Sequence, residues 1–265
     1  MLRRLAEIVL GTIRVHRQLP AFVGSGVVVA NAKVGGLRYI FRASRDLDPV
    51  LLKVASILVR PGDVVWDVGG NVGLFAAAAS GLAGKTGDVY SIEADQDAFA
   101  LLSKTANAQT ANHAPITSLN VAISNHCGTA RFEIAKRSRS ANSLQGFGST
   151  QTGGTAEIRT VPTLTLDVLL NSFPPPQVVK IDVEGAEALV LTGAQNLLSG
   201  ARPFMFIEVA GEVAHEVAQI LRHHDYRIYD GATFKELETG APATWDTVAI
   251  PSESKFPLEA MNRDF

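Results

Sequence analysis

The most regular feature of the chain is an alternation of short apolar runs with longer helical segments after residue 60. Short apolar runs bounded by turn residues indicate buried strands, and apolar residues three or four positions apart indicate helices. Strands that alternate with helices of this length are typical of a doubly wound α/β fold, with a mostly parallel sheet and helices on both faces. An antiparallel strand is expected to close the sheet, because two further strands follow the last helix. The predicted strands are 64–68, 88–93, 116–121, 177–182, 204–209, 226–229 and 247–250, and the predicted helices are 72–82, 96–109, 186–198 and 213–223.

The first 60 residues have a different pattern. Residues 2–13 place apolar side chains at helical spacing, and charged residues interrupt that stretch, which favours a packed amphipathic helix over a signal peptide or a membrane-surface helix. Two β-type runs, 27–30 and 37–42, flank the turn signal Gly35-Gly36 and predict a hairpin. A helix is predicted over 49–59. We therefore divide the chain into an N-terminal helix and hairpin extension, residues 1–60, and a Rossmann-like domain, residues 61–265.

The alternation breaks once more after the third strand of the domain. Strand-like runs at 130–134 and 157–161 predict a β-hairpin insertion over about residues 126–162. Between them, residues 136–155 are rich in Ser, Gly, Thr and Asn. A loop of this length in a compact domain is either functional or disordered. Residues 138–149 of this loop, including Asn142-Ser143-Leu144, are therefore a candidate lining or lid of an acceptor pocket, and a surface loop is nearly as good an interpretation.

Composition excludes several classes of function. The formal net charge is −2, so the chain has no broad cationic field for nucleic acid. A single cysteine, Cys127, excludes an intrachain disulfide and a thiolate metal cluster. No apolar run is long enough to span a bilayer, and we expect a cytoplasmic protein with no transmembrane segment. The sequence does not indicate the oligomeric state.

The strongest chemical signal is the loop Asp67-Val68-Gly69-Gly70-Asn71-Val72-Gly73, which ends the first parallel strand and opens a helix. Glycines here let a ligand approach the backbone, and a nucleotide-like ligand binds at this edge of a doubly wound sheet. The order G-G-N-V-G does not match the dinucleotide fingerprint G-x-G-x-x-G. Asp67 would repel a pyrophosphate but could accept hydrogen bonds from an ammonium group. The loop therefore favours S-adenosylmethionine, which carries an ammonium group and no phosphate.

Two further positions complete the predicted donor site. Glu93 ends the next strand, where an acid can accept hydrogen bonds from both ribose hydroxyls. The backbone of Val121 and Ala122, after the third strand, is expected to flank the adenine. The predicted cofactor-binding set is Asp67, Gly69, Gly70, Asn71, Gly73, Glu93, Val121 and Ala122.

Lys180, Asp182 and Glu208 are the predicted catalytic residues. Lys180 and Asp182 share one face of a strand, and Glu208 ends the next apolar strand. A lysine in a central strand needs a carboxylate partner, since an unpaired buried charge is costly. Asp182 or Glu208 would orient the acceptor or take its proton, and Lys180 would set their charge state. A buried ion-pair network with only a structural role is an equally good interpretation.

In these motifs the chain resembles the FkbM-type methyltransferases over about residues 60–210. Besides the glycine loop, the resemblance is carried by 120–125 with Gly128, by 165–170, and by 180–187 with Leu191, Gly193 and Ile207-Glu208. Gly70 is a departure, because the family more often has alanine there. The resemblance implies a Rossmann-like methyltransferase fold, S-adenosylmethionine as the donor and usually an oxygen acceptor.

The prediction is therefore an S-adenosylmethionine-dependent O-methyltransferase acting on a hydroxyl of a small molecule or a glycan. No metal is expected because the ligand pattern is absent, although Asp182 and Glu208 could hold a hard cation. An NAD-dependent oxidoreductase and a non-catalytic binding module on the same fold are the alternatives. The wrong glycine spacing argues against the oxidoreductase. The combination of Asp67, Glu93, Lys180 and Asp182 argues against the binding module.

Overall fold

A computed structural model describes residues 11, 13–136, 141–148 and 153–255. The predicted helix at 2–13 lies almost entirely outside the described residues. In the described part the strands are β1 (Arg14–Gln18), β2 (Val27–Asn31), β3 (Val64–Val68), β4 (Asp88–Ile92), β5 (Ile116–Leu119), β6 (Ala122–Ile123), β7 (Gly128–Ala135), β8 (Ser143–Leu144), β9 (Thr155–Leu164), β10 (Val178–Ile181), β11 (Phe204–Glu208), β12 (Tyr226–Asp230) and β13 (Asp246–Pro251). The α-helices are α1 (Arg38–Phe41), α2 (Pro49–Leu58), α3 (Leu74–Ala83), α4 (Gln96–Asn107), α5 (Leu166–Leu169), α6 (Glu187–Thr192) and α7 (Ala214–His223).

The centre of the fold is a seven-stranded sheet with the strand order β12-β13-β11-β10-β3-β4-β5. Strands β5, β4, β3, β10 and β11 run parallel, and β13 is antiparallel to both of its neighbours. The doubly wound prediction and the antiparallel closing strand are therefore confirmed. The strand order reverses between β3 and β10, which lie side by side at the centre, and ligands bind at such a switch point.

Local sequence explains where the main helices begin. Helix α2 starts with a proline at its first position, and the side chain of Asp48 accepts a hydrogen bond from Leu51 N at 3.1 Å. Asp95 caps α4 in the same way, and Thr165 caps α5. Such caps satisfy backbone N–H groups that have no partner within the helix. The predicted helix over 186–198 is shorter in the structure, because α6 ends at Thr192 and a π-helical turn follows at Leu197–Ala201.

Apolar cores lie on both faces of the sheet. One core joins α2, α3 and α4 to the sheet and also takes in Leu19, Val28 and Tyr39 from the N-terminal extension. The other core contains α6 and α7. The buried strands β3 and β10 separate these layers, and their carboxyl ends are left free of helices. This edge is where the glycine loop begins.

The predicted hairpin of 27–30 with 37–42 is wrong. Strand β2 pairs antiparallel with β1, and residues 38–41 form the short helix α1. The other edge of β2 is already satisfied by α4 and the residues just after it, because Val29 N donates to Thr105 Oγ1 at 2.9 Å and Val27 N donates to Gln109 Oε1 at 3.1 Å. With both edges of β2 occupied, 37–42 has no free strand to pair with.

The predicted hairpin insertion is confirmed. Strands β7 and β9 pair antiparallel along their length within a four-stranded sheet of order β6-β9-β7-β8. Part of the intervening loop, at 137–140 and 149–152, lies outside the described residues. Its described portion contributes the short strand β8, which pairs with β7. In the part of the chain that the structure describes, no helix combines the length and the hydropathy needed to cross a membrane.

Candidate active site

The glycine loop crosses the carboxyl ends of β3 and β10. Gly69 N and Gly70 N both donate to Ile92 O of β4 at 2.9 Å, so the loop bends over the neighbouring strand. Gly69 has φ +76°, and a Cβ placed on it would lie 1.7 Å from Asp182 O. A side chain at this position would therefore displace the backbone that follows β10. The loop and the β10 end are in direct contact, which brings the two predicted halves of the site together.

Two adjoining cavities open at this edge. The first, of about 610 Å³, has mostly apolar walls and is called here the apolar cavity. The second, of about 590 Å³, is called the polar cavity. The two cavities share four lining residues, which are Gly69, Asn71, Asp182 and Glu184.

Glu93 lies in the wall of the apolar cavity. Its Oε2 accepts from Asn71 N at 2.8 Å and its Oε1 accepts from Asp95 N at 2.7 Å. Burial raises the pKa of Glu93 to about 7, although these two backbone bonds oppose the shift. Asn71 has φ +49°, and its buried Oδ1 has no hydrogen-bond partner among the described residues. An unsatisfied acceptor beside a carboxylate is suited to a ligand that donates hydrogen bonds.

Lys180 occupies the boundary between the loop and the sheet. Its Nζ donates to Gly69 O at 2.7 Å and lies 3.5 Å from Asp67 Oδ1 and 3.4 Å from Asp182 Oδ2. Burial lowers the pKa of Lys180, but the surrounding carboxylates Asp182, Asp67 and Glu208 raise it above the ordinary lysine value. Lys180 is therefore a permanently charged group in this site.

Two carboxylates of the polar cavity, Glu184 and Glu208, have raised pKa values. Burial, followed by the charge of Asp182, raises the pKa of Glu208. Burial and the charges of Asp182 and Glu187 raise the pKa of Glu184 to about 8. Within the described ranges, no group of three or more His, Cys, Asp or Glu side chains is arranged to hold a metal ion.

The predicted site residues fall into three groups. Glu93, Val121 and Ala122 line the apolar cavity, while Lys180, Glu208 and Gly70 line the polar cavity. Gly69, Asn71 and Asp182 line both. Asp67 and Gly73 line neither: Asp67 is fully buried beneath the loop, and Gly73 begins α3 against Leu102 and Thr105.

Asp67 lines neither cavity in this structure, although the sequence analysis expected its carboxylate to accept hydrogen bonds from a ligand's ammonium group. Its Oδ2 accepts from Ser91 Oγ at 2.7 Å, and its Oδ1 faces Lys180. The physical reason is the register of the sheet, since Asp67 is paired with Lys180 on β10 and with Ser91 on β4. All three side chains are buried, so Asp67 supports the loop from below.

Sequence reasoning missed two sets of lining residues. The N-terminal extension contributes Arg38, Tyr39, Asp48 and Leu51 to the polar cavity, and no motif singles them out. The insertion contributes Phe132, Asn142 and Leu144 to the apolar cavity. The segment with Asn142 and Leu144 had been one candidate for the lining or lid of the acceptor pocket, with a surface loop as the alternative. Its length and composition gave no signal of which cavity it lines.

The strand order, the glycine loop and the acid at the end of the next strand define the class I methyltransferase fold. The methyltransferase FkbM domain model matches residues 67–228. The chain therefore belongs to the FkbM methyltransferase family, and its methyl donor is S-adenosylmethionine. The family match decides against the NAD-dependent oxidoreductase alternative.

Individual relatives are more distant. The chain is 31% identical over 183 residues to the hexuronic acid methyltransferase AglP of Haloferax volcanii, covering 68% of each protein. It is similar to the crystal structure of an FkbM methyltransferase from Methylobacillus flagellatus, with 18% identity, a TM-score of 0.44, and coverage of 71% of this chain and 43% of that one. A second similar structure is an S-adenosylmethionine-dependent O-methyltransferase from Thermotoga maritima, with 9% identity, a TM-score of 0.46, and coverage of 86% of this chain and 75% of that one.

The residues of the apolar cavity fit the nucleoside of this donor. Glu93 presents a carboxylate for the ribose hydroxyls, and the apolar side chains Val121, Ile123, Phe132 and Leu144 can cover an aromatic base. The unpaired Oδ1 of Asn71 is a further acceptor at the junction with the polar cavity.

Proposed function

We propose that the chain methylates a hydroxyl oxygen of a glycan or small molecule, with Asp182 acting on the acceptor. One observation carries this proposal: Asp182 lines both cavities and is the carboxylate at their junction that contacts Lys180, while the other junction carboxylate, Glu184, makes no contact with Lys180 in the described residues. Transfer of a methyl group requires donor and acceptor to meet in line, and positioning supplies much of the rate enhancement. An acid at the junction can contact an acceptor oxygen that faces the donor.

In this proposal the donor is held by the loop and by the two strands that follow it. Glu93 would accept hydrogen bonds from the ribose hydroxyls, and the backbone of Val121 and Ala122 would flank the adenine. Gly69, Gly70 and Asn71 would contact the remainder of the ligand. When bound, the donor supplies an electrophilic methyl group on a sulfonium sulfur. Asp67 and Gly73 support this arrangement from behind the loop.

The acceptor would lie at the end of the polar cavity formed by β10 and β11. Asp182 would accept the proton of the acceptor hydroxyl while the new carbon–oxygen bond forms. Lys180 orients Asp182, because its Nζ donates a hydrogen bond to Asp182 Oδ2 at 3.4 Å. Glu208, whose pKa is raised by burial and by Asp182, would hold a proton and donate a hydrogen bond to the acceptor.

The division of the chain at residue 60 is part of the proposal. Residues 61–265 would form the catalytic domain, and residues 1–60 would complete the polar cavity. Arg38, Tyr39, Asp48 and Leu51 support this division of roles, since all four come from the extension. A sugar acceptor is supported by the name of the curated relative, a hexuronic acid methyltransferase.

A methyl-transfer assay with an isosteric variant tests the proposal. Purified wild type, Asp182→Asn and the matched control Glu216→Gln would be incubated with the labelled donor and a panel of neutral and uronic-acid oligosaccharides. Glu216 is exposed on α7 and lines neither cavity. We expect Asp182→Asn to lower turnover by about 10²–10⁴-fold, the range of general-base catalysis, and the control to keep wild-type turnover.

Binding and product chemistry complete the test. Calorimetry with S-adenosylhomocysteine should give similar affinities for all three proteins if Asp182 acts on the acceptor. The transferred label should resist mild alkali, because an ether is stable where a methyl ester is hydrolysed. Wild-type turnover in Asp182→Asn, or an alkali-labile product, would contradict the proposal.

A further inference from the structure

The polar cavity contains a cation that the proposed reaction has not used. Arg38, at the start of α1, lines this cavity together with Gly70, Asn71 and Leu74. It lies outside residues 67–228, which the family model matches. No role follows for it from the family, so its role has to be argued from its surroundings.

The position of Arg38 is fixed by the residue that follows it. Tyr39 is only 1% exposed and is part of the core beneath the extension. The guanidinium carbon of Arg38 lies 5.3 Å from the centre of the Tyr39 ring. A Cβ on Gly35 would come within 2.8 Å of the same ring, so the glycine leaves the space that the ring needs. Helix α1 is thus anchored by Tyr39, and this holds the Arg38 guanidinium at the cavity wall.

The two cations of the polar cavity differ in their partners. Lys180 is already held by Gly69 O, Asp67 and Asp182. Among the residues that the structure describes, no carboxylate lies within ion-pair distance of the Arg38 guanidinium. The guanidinium instead lies over the ring of Tyr39. Arg38 is therefore the cation of this cavity that is available to a ligand. A guanidinium binds a carboxylate through two parallel N–H···O bonds, which gives both strength and direction.

The shape of the donor indicates which carboxylate Arg38 would bind. If the nucleoside fills the apolar cavity, as the proposed function requires, the amino-acid arm must leave through the junction formed by Gly69, Asn71, Asp182 and Glu184. The polar cavity beyond that junction offers a guanidinium for a carboxylate, and Asp48 for an ammonium group. Asp67 cannot serve the ammonium, because it is buried beneath the loop and faces Lys180.

We propose that Arg38 binds the α-carboxylate of the amino-acid arm of S-adenosylmethionine. The amino-acid arm then takes the side of the polar cavity formed by the extension and the start of α3. The acceptor takes the opposite side, at Asp182 and Glu208. This inference rests on the proposed function only in placing the nucleoside in the apolar cavity.

Two ligands that differ only in the arm test the proposal without any need for turnover. S-adenosylhomocysteine carries the amino-acid arm, and 5′-methylthioadenosine is the same nucleoside thioether without it. Calorimetry would measure both ligands on wild type, Arg38→Gln, Arg38→Lys and the control Arg45→Gln. Arg45 belongs to the same segment, is exposed and does not line the cavity.

We expect Arg38→Gln to weaken S-adenosylhomocysteine by about 10–100-fold, the range for a hydrogen-bonded charge, and to leave 5′-methylthioadenosine within about twofold. Arg38→Lys should recover part of the loss, since it keeps the charge but not the fork of donors. Retained binding of 5′-methylthioadenosine also shows that the variant is folded.

Two outcomes would overturn the proposal. One is unchanged binding of S-adenosylhomocysteine to Arg38→Gln. If the variant also raises the KM for an acidic acceptor, Arg38 binds the acceptor and not the donor. The other is an equal loss for both ligands, which would indicate a structural role. Neither outcome bears on Asp182, so failure here is distinguishable from failure of the proposed function, which the turnover of Asp182→Asn decides.

Discussion

Lys180 and Asp67 lie opposite each other on the neighbouring parallel strands β10 and β3, with Nζ 3.5 Å from Oδ1 and both side chains buried. The same ammonium donates to Gly69 O at 2.7 Å, two residues beyond Asp67. Lys180 therefore neutralises the acid beneath the loop and also holds the loop backbone above it. One buried cation links the sheet, the glycine loop and Asp182, which explains why the loop and the β10 end form one site.

Lys180→Met is predicted to destabilise the fold by about 3–5 kcal/mol, because it leaves Asp67 as an uncompensated buried charge. The double variant Lys180→Met/Asp67→Asn should recover at least half of that loss, since it removes both charges. Urea unfolding of the wild type, the two single variants and the double variant measures this. A double variant as unstable as the sum of the two single variants would show that the pair is not coupled.

A second prediction concerns Gly70, where the family more often has alanine. A Cβ on Gly70 would lie 2.2 Å from Ser91 Oγ and 3.0 Å from Asp67 Oδ2. Gly70→Ala should therefore destabilise the fold by about 1–3 kcal/mol, the typical cost of overpacking. Adding Ser91→Ala should relieve the closest clash and recover part of the loss, although Asp67 then loses a hydrogen bond. Thermal unfolding of Gly70→Ala, Ser91→Ala and the double variant tests this. A double variant that is no more stable than Gly70→Ala would contradict the clash.

The arrangement of the sheet was predictable because its signals are local and repeated. The buried runs that became β3, β4, β10 and β11 are continuous apolar segments, and each is followed by a helical pattern. A site is expected at the carboxyl edge of such a sheet. Glu93 and Asp182 could therefore be placed near one another from the sequence alone. That reasoning needed only the order of the strands.

What could not be predicted depends on contacts between distant segments. The 37–42 run does not pair with β2, because the other edge of β2 is taken by Thr105 of α4 and by Gln109 just beyond it, over 70 residues away. Asp67 faces inward because the strand register places Lys180 and Ser91 beside it. Arg38 carries no motif, and its place in the polar cavity follows from the burial of Tyr39. Spacing along the sequence contains none of this information.

Asn142 provides a third prediction, at the opposite end of the proposed donor site. Its Oδ1 accepts from Ala135 N at 2.8 Å and its Nδ2 donates to Asp95 Oδ2 at 2.7 Å, so it fastens the insertion to the start of α4. Asn142→Ala would leave both partners unsatisfied and loosen the wall of the apolar cavity. We expect about tenfold weaker binding of both S-adenosylhomocysteine and 5′-methylthioadenosine, since the nucleoside is common to the two.

The matched control for this prediction is Asn171→Ala, because Asn171 is exposed after α5 and lines neither cavity. Calorimetry with both ligands distinguishes Asn142 from Arg38, which should affect only the ligand with the amino-acid arm. An Asn142→Ala variant that binds 5′-methylthioadenosine as tightly as the wild type would contradict a role in the nucleoside wall.

The last prediction follows from Glu184, which lies at the junction of the two cavities with φ +54°. Burial, then the charges of Asp182 and Glu187, raise its pKa from the ordinary 4.5 to about 8. Between these values the folded state holds a proton that the unfolded state has lost. Stability from this group is therefore present below about pH 4.5 and is lost as the pH rises towards 8.

Glu184→Gln removes this titration while keeping the size and the backbone conformation of the side chain. The variant should match the wild type near pH 4.5 and be more stable than it at pH 8.5 by about 1–3 kcal/mol. This is less than the full pKa shift would give at about 1.36 kcal/mol for each pKa unit, because the side chain is partly exposed to solvent. Other acids with raised pKa values, such as Glu93 and Glu208, titrate in both proteins and largely cancel in the difference. Urea unfolding at the two pH values measures it, with Glu216→Gln as the control that should show no pH-dependent difference. A Glu184→Gln variant less stable than the wild type at pH 8.5 would mean that the ionised carboxylate is stabilised in the fold, and that the junction of the cavities is more polar than its geometry indicates.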